Sequence, residues 1–171
     1  MDDADAIAAA HAESWRATYR GILSDAYLDG PIDEERRNLW RKRFADVSPP
    51  LAVVGYAGDT LAGFACAFAK DDARWGTRID NLHVLPAFKR RRLATGLMRA
   101  VADRIDTVAP DTPVYLWVYE VNHAARAAYE SLGGRLTEHG SRTGADGTDA
   151  PALRYTWKSP AEVGVNPVAG G

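Results

Sequence analysis

The chain has 171 residues, 46% of them hydrophobic and 26% charged, and a formal net charge of -2. That length supports one domain with a buried core and is short for two, while the near-balanced charge excludes a global cationic field of the kind that drives non-specific binding to nucleic acid or anionic lipid. Any anion binding must therefore be local. Cys66 is the single cysteine, which excludes an internal disulfide; no apolar run approaches a membrane span, and the acidic start "MDDADAIAAAHAESW" lacks the features of a secretory signal. These features predict a cytoplasmic protein.

In chain order, residues 4 to 19 carry Ile7, His11, Trp15 and Tyr19 four apart, which predicts a helix that Gly21 stops. "SDAYLD" allows a short helical turn. After Pro31, "DEERRNLWRKRF" has acids early and cations late, as a helix dipole favours, with Leu39, Trp40 and Phe44 along one side. "LAVVGYAGDTLAGFACAF" joins two β-favouring runs through Gly58-Asp59, a hairpin, and "TRIDNLHVL" supplies a third strand. Leu93, Leu97, Val101 and Ile105 step by four along the next helix, whose first turn adjoins the cationic block Lys89-Arg90-Arg91-Arg92. "VYLWVY" is a strand. "NHAARAAYESL" is a helix that Asn122 can cap and Gly133-Gly134 ends. "RLTEH", a Gly/Asp-rich turn from Gly140 to Ala150 and "ALRYTWK" complete a mixed α/β domain over residues 1–158. Residues 159–171 are Pro/Gly/Ala-rich without periodicity and read as a disordered tail.

A strand that runs straight into a helix leaves backbone N–H groups without intrahelical partners, and the helix dipole makes that place attractive to phosphate. "VLPAFKRRRLATGLM" has the makings of such a cradle between Val84 and Gly96, although a cationic run at a helix start is also how a solvated face looks. Together with "LWVYEVNHAARAAYESLGG", this stretch resembles the GNAT superfamily of acetyl-CoA-dependent N-acyltransferases. Val84 and Pro86 match its coenzyme motif, Lys89 takes the place of an Arg or Gln, and Ala94 is the final small residue. Asn122, Ala125, Tyr129, Leu132 and Gly133 match the later motif. "HAESWRATYRGILSDAYLD" looks like one bacterial branch, so the resemblance covers residues 4 to 158.

The resemblance implies a central, twisted, mostly antiparallel sheet, splayed at the coenzyme site and flanked by helices. It implies acetyl-CoA as co-substrate, no metal, and direct attack by a primary amine of a small molecule or peptide. The pantetheine arm would pair with the strand at Leu82 and Val84, the pyrophosphate would rest on the N–H groups of Arg90, Arg92, Ala94 and Thr95, and the side chains of Lys89 to Arg92, Arg91 included, would lie nearby. Asn122 would contact pantetheine or cap its helix. Tyr129 corresponds to the proton donor to the departing thiolate, with an aromatic plug as the other reading. For the base, Arg78 stands where many members carry an acid. Asp80, which strand alternation keeps on the same face, is the first candidate; a water chain, His83 and Glu120 are reserves, with His83 expected on the opposite face. His11 and Cys66 read as core residues. Trp15, Tyr19, Trp40 and Trp75 are placed near an acceptor cleft.

The chain also departs from the pattern. Arg92 stands where glycine is usual, which serves if its backbone stays near helical geometry and its side chain swings toward the 3′-phosphate of CoA. If it does not serve, the alternative is a non-catalytic acyl-CoA-binding or regulatory module with a decayed phosphate loop. Gly134 replaces an aromatic residue. The usual first strand is missing, which leaves a sheet edge and predicts either self-association, as in a homodimer, through the hairpin beginning near Leu51 or a start codon assigned too late. Neither a nucleic acid nor a membrane is an expected partner.

Overall fold

A computed structural model describes residues 3–165. Helix α1 (Asp3–Thr18) buries Ile7 and His11 together with Ala4, Ala8, Ala10 and Ala12, alanines that let α3 (Ile32–Ala45) pack closely beside it. Between them lies the four-residue α2 (Asp25–Leu28), capped by Ser24, whose hydroxyl accepts from the Tyr27 N–H at 3.3 Å.

Six strands form one sheet in the order β1-β2-β3-β4-β6-β5: β1 (Leu51–Ala57), β2 (Thr60–Asp72), β3 (Gly76–Val84), β4 (Val114–Tyr119), β5 (Arg135–Thr143) and β6 (Asp149–Trp157). Every pairing is antiparallel except β3 with β4. No strand precedes α1 among the described residues, and β1 is a sheet edge. One face of the sheet packs on α4 (Leu93–Val108) and α5 (His123–Ser131) around Leu97, Val101, Ile105, Leu116, Tyr155 and Trp157, each no more than 3% exposed. Burying side chains of this size contributes about 1.5–3 kcal/mol each. The other face packs on α1 and α3 through Phe64, Cys66 and Trp40, and Cys66 is a small core residue there, as expected.

Two features set up the functional site. The parallel pairing of β3 with β4 extends over Thr77–Val114 and Arg78–Tyr115 alone, after which the strands separate. Immediately beyond, Ala67 pairs with Ile79 and Cys66 with Asn81, so Asp80 is an extra residue in β3. A bulge of this kind bends its strand and shifts the alternation of side chains by one. Ile79, Leu82 and Val84 therefore join the α4 side, while Asn81 bonds to Arg43 of α3 and His83 to Ser14 of α1. The expectation that His83 lies opposite Asp80 is corrected: the bulge puts both on the α1/α3 face.

Two further expectations change. β5 runs to Thr143 and β6 starts at Asp149, which shrinks the Gly140–Ala150 turn to a tight connection with Gly147 at φ 81°. Residues 159–165 are packed and are not a loose tail. Val163 is 5% exposed, the Gly164 N–H donates to Leu132 O (2.9 Å), and Arg99 Nη2 donates to Gly164 O (2.8 Å). Residues 166–171 of the expected tail lie outside the described residues. At Gly134 an added Cβ would meet the Trp157 ring and Tyr129 O, both at 2.8 Å. The Trp157 indole from β6 thus leaves no room for a side chain at Gly134.

Candidate active site

The loop between β3 and α4 follows from its backbone. Pro86–Phe88 makes one 3-10 turn, then Arg90 (φ 62°) and Arg92 (φ 60°, ψ 12°) both adopt left-handed conformation before α4 begins. Among the described residues, the N–H groups of Arg90 through Thr95 have no protein acceptor. Such a run, at the start of a helix whose dipole adds positive potential, suits a pyrophosphate. A non-glycine residue in this conformation costs about 1 kcal/mol. That is the physical reason for the glycine of the family pattern, and the expected right-handed helical geometry at Arg92 is corrected. The loop nevertheless stays open with an arginine in it.

Where β3 and β4 separate, a cavity of about 580 Å³ passes between the two faces of the sheet. Its α4/α5 side is lined by Leu82, Val84, Ala94, Asn122, Ala125 and Tyr129. Lys89, Arg90 and Arg92 also reach it. Arg91 and Thr95 do not line it: the Arg91 guanidinium turns over the Phe88 ring, 5.6 Å from its centroid. Asn122 caps α5, its Oδ1 accepting from the Ala125 N–H at 3.3 Å. The Tyr129 ring packs edge-on against Trp157, yet among the described residues its hydroxyl has no hydrogen-bond partner. Burial pushes that hydroxyl up to about 12, so it stays protonated at neutral pH.

The opposite side of the cavity is built on α1, α3 and the hairpin of β5 and β6. Trp15 and Tyr19 line it as expected, but Trp40 is fully buried in the core and Trp75 stacks on Arg154 instead. Asp80 lines it with both oxygens engaged, Oδ2 by Arg43 Nη2 at 2.7 Å and Oδ1 by Arg78. His83 Nδ1 lies 2.9 Å from Ser14 Oγ, and burial pushes the ring down to about 4, leaving it neutral. His11 also lines the cavity: its Nδ1 accepts from Trp40 Nε1 at 3.0 Å, but its buried Nε2 has no partner, so it is only half satisfied as a core residue. Glu120 does not line the cavity.

Sequence reading missed Arg36, Arg43, Trp117 and Arg142. Arg43 looks like any cation near a helix C-terminus, and its stacking on Trp40 at 5.0 Å depends on the fold. Arg142 fell inside the segment read as a turn. A wall of the site comes from that hairpin: Asp146 Oδ2 accepts from the Ser24 N–H at 2.7 Å, clasping the β5–β6 turn to the loop after α1. Among the described residues no group of three or more His, Cys, Asp or Glu could hold a metal, and no helix is long and apolar enough to cross a membrane.

Residues 10–134 match the model of the acetyltransferase (GNAT) family. No curated protein matches the chain in sequence. Among solved structures, the chain is similar to the PaiA N-acetyltransferase of Thermoplasma acidophilum in complex with coenzyme A (20% identity, 92% of this chain and 93% of that one, TM-score 0.70). It is also similar to YncA of Salmonella typhimurium, solved with acetyl-CoA (16% identity, 90% and 89%, TM-score 0.65), and to an aminoglycoside 6′-acetyltransferase type Ii (18% identity, 89% of each chain, TM-score 0.61).

Proposed function

Because this chain belongs to the GNAT acetyltransferase family, whose co-substrate is acetyl-CoA, we propose that it moves the acetyl group to a primary amine of a small molecule or peptide by direct attack. The observation that carries this reading is the Tyr129 hydroxyl, unbonded and protonated, lining the cavity where β3 and β4 separate.

Direct attack needs three things: an uncharged amine, stabilisation of the tetrahedral oxyanion, and a proton for the departing thiolate. In this reading the free N–H groups of Arg90 to Thr95 hold the pyrophosphate and the edge of β3 at Leu82 and Val84 aligns the pantetheine arm. Lys89, Arg90 and Arg92 add positive charge around the phosphates, and Asn122 fixes the start of the helix that carries Tyr129. Tyr129 protonates the sulfur. Asp80 takes the ammonium proton, its carboxylate fixed by Arg43 and Arg78 with lone pairs remaining toward the cavity. The left-handed backbone at Arg92 speaks against a non-catalytic module with a decayed loop, because the cradle survives the substitution.

The test is thiol release from acetyl-CoA with a panel of amines, for the native protein and Tyr129→Phe. The variant keeps the ring and loses the proton, so turnover should fall about 100-fold while CoA affinity changes little. Equal turnover in a variant limited by chemistry would remove Tyr129 as the acid.

A further inference from the structure

The charge around the acceptor side of the cavity is one-sided. Arg36, Arg43, Arg78 and Arg142 line it against one carboxylate, Asp80, which Arg43 and Arg78 already share. Arg78 is held in addition by Asp71 and Arg36 by Glu35. Arg142 differs: among the described residues no carboxylate lies within ion-pairing distance of it. Its guanidinium sits over the Trp117 ring, 5.9 Å from the centroid, beside the Thr143–Gly144 end of the hairpin wall.

Aromatic faces could hold a cationic substrate instead, but arginines already cover the two indoles that line this side, Trp15 and Trp117. The Arg36 guanidinium lies 4.4 Å from the Trp15 centroid, and Arg154 lies 4.6 Å from that of Trp117, on which Arg142 also rests. Among the described lining residues a second ammonium on the acceptor would meet no free carboxylate, and the rings without an arginine over them, Tyr19 and Tyr119, pack edge-to-face on each other. A carboxylate would meet an unpaired guanidinium whose fork matches it. Cations near the amine also favour its neutral, attacking form.

We infer that the acceptor is a monoamine that carries its own carboxylate, a compound of the amino-acid class, with the carboxylate held by Arg142. This rests on the acetyl-transfer reading above and names its substrate class.

The test compares matched pairs differing only in the carboxylate, phenylalanine with phenethylamine and β-alanine with ethylamine, alongside spermidine and kanamycin. Thiol release gives kcat/KM, and melting of the CoA-saturated protein gives binding of each amine independently of turnover. The carboxylate member of a pair should be preferred about tenfold or more, and Arg142→Gln should narrow that ratio mainly through KM. Preference for the decarboxylated amines or the polycations overturns the inference while leaving acetyl transfer standing. Absence of thiol release with every amine, together with a melting shift from carboxylate members alone, overturns the transferase reading and keeps the carboxylate site. No preference in either readout overturns the inference.

Discussion

At the scale of the residue, Arg92 shows how one side chain can serve and strain a site together. Its N–H belongs to the open cradle, while its left-handed backbone is a conformation that glycine adopts freely. Arg92→Gly should therefore raise unfolding stability by about 1 kcal/mol. It should also weaken CoA binding by about threefold at low salt, a difference that shrinks as ionic strength rises. Denaturant unfolding and calorimetric titration at two salt concentrations read the two effects separately; tighter CoA binding by the variant at both salts would show that the arginine obstructs the loop. His83 predicts a pH dependence. Burial holds its ring at about 4 in the folded chain against the ordinary 6.5, so the unfolded chain binds more protons between those values. The stability is whole above pH 6.5 and is lost as pH falls toward 4, by about 3 kcal/mol in all. His11, also lowered by burial, acts in the same direction. Unfolding titrations from pH 7.5 to 4.5 should show this loss, and His83→Gln should flatten it.

At the scale of the element, the wall made by β5 and β6 is fastened by the bond from Ser24 N–H to Asp146. Asp146→Ala frees that N–H, so hydrogen exchange at Ser24 should quicken and the acceptor KM should rise while CoA affinity holds. An unchanged acceptor KM would mean that the wall stands without its clasp. The same hairpin marks the limit of what sequence patterns carry. The helices and the first strands follow from fourfold steps and β-rich runs because each buries one face. β5 is exposed along its whole length, so its second half, "GSRT", shows no alternation and reads as part of a turn. Residues 159–165 fail to signal for a related reason: the buried Pro160 and Val163 and two hydrogen bonds at the Gly164 backbone hold them, and none of these leaves a periodic trace. In the site, Tyr129, Asn122 and the cationic loop are legible because local spacing places them. Arg43 and Arg142 reach the cavity only through tertiary packing.

At the scale of the whole molecule, the sheet is two halves joined by little: two residue pairs connect β3 to β4, and the cavity opens beyond them. A ligand lying along β3 and reaching the start of α5 bridges both halves and binds only the folded chain. CoA at 100 times its Kd should stabilise the protein by about 2.7 kcal/mol, with hydrogen-exchange protection gained at residues 82–84 and 90–95. The absence of a melting shift with both CoA and acetyl-CoA would count against the coenzyme site. The outer edges of the sheet differ in design. β1 is preceded by Pro49-Pro50 and irregular at Gly55, devices that discourage pairing, although Val54 and Tyr56 remain exposed there.

The bulge at Asp80 makes this carboxylate an insertion in the pleat. The residues on either side, Ile79 and Asn81, already occupy consecutive pairing positions against Ala67 and Cys66. Excising Asp80 would thus leave a regular ladder, with Ile79 and Leu82 still toward α4 and Asn81 and His83 still toward α1. Arg78 keeps Asp71 and Arg43 keeps Asn81. A one-residue deletion, ordinarily the harshest change within a strand, becomes here a gentler excision than Asp80→Leu, which would retain the bulge and set an apolar side chain between two arginines. The shortened chain should fold, straighten β3 and lose acetyl transfer with retained CoA binding. Retained turnover would move the proton acceptor away from Asp80.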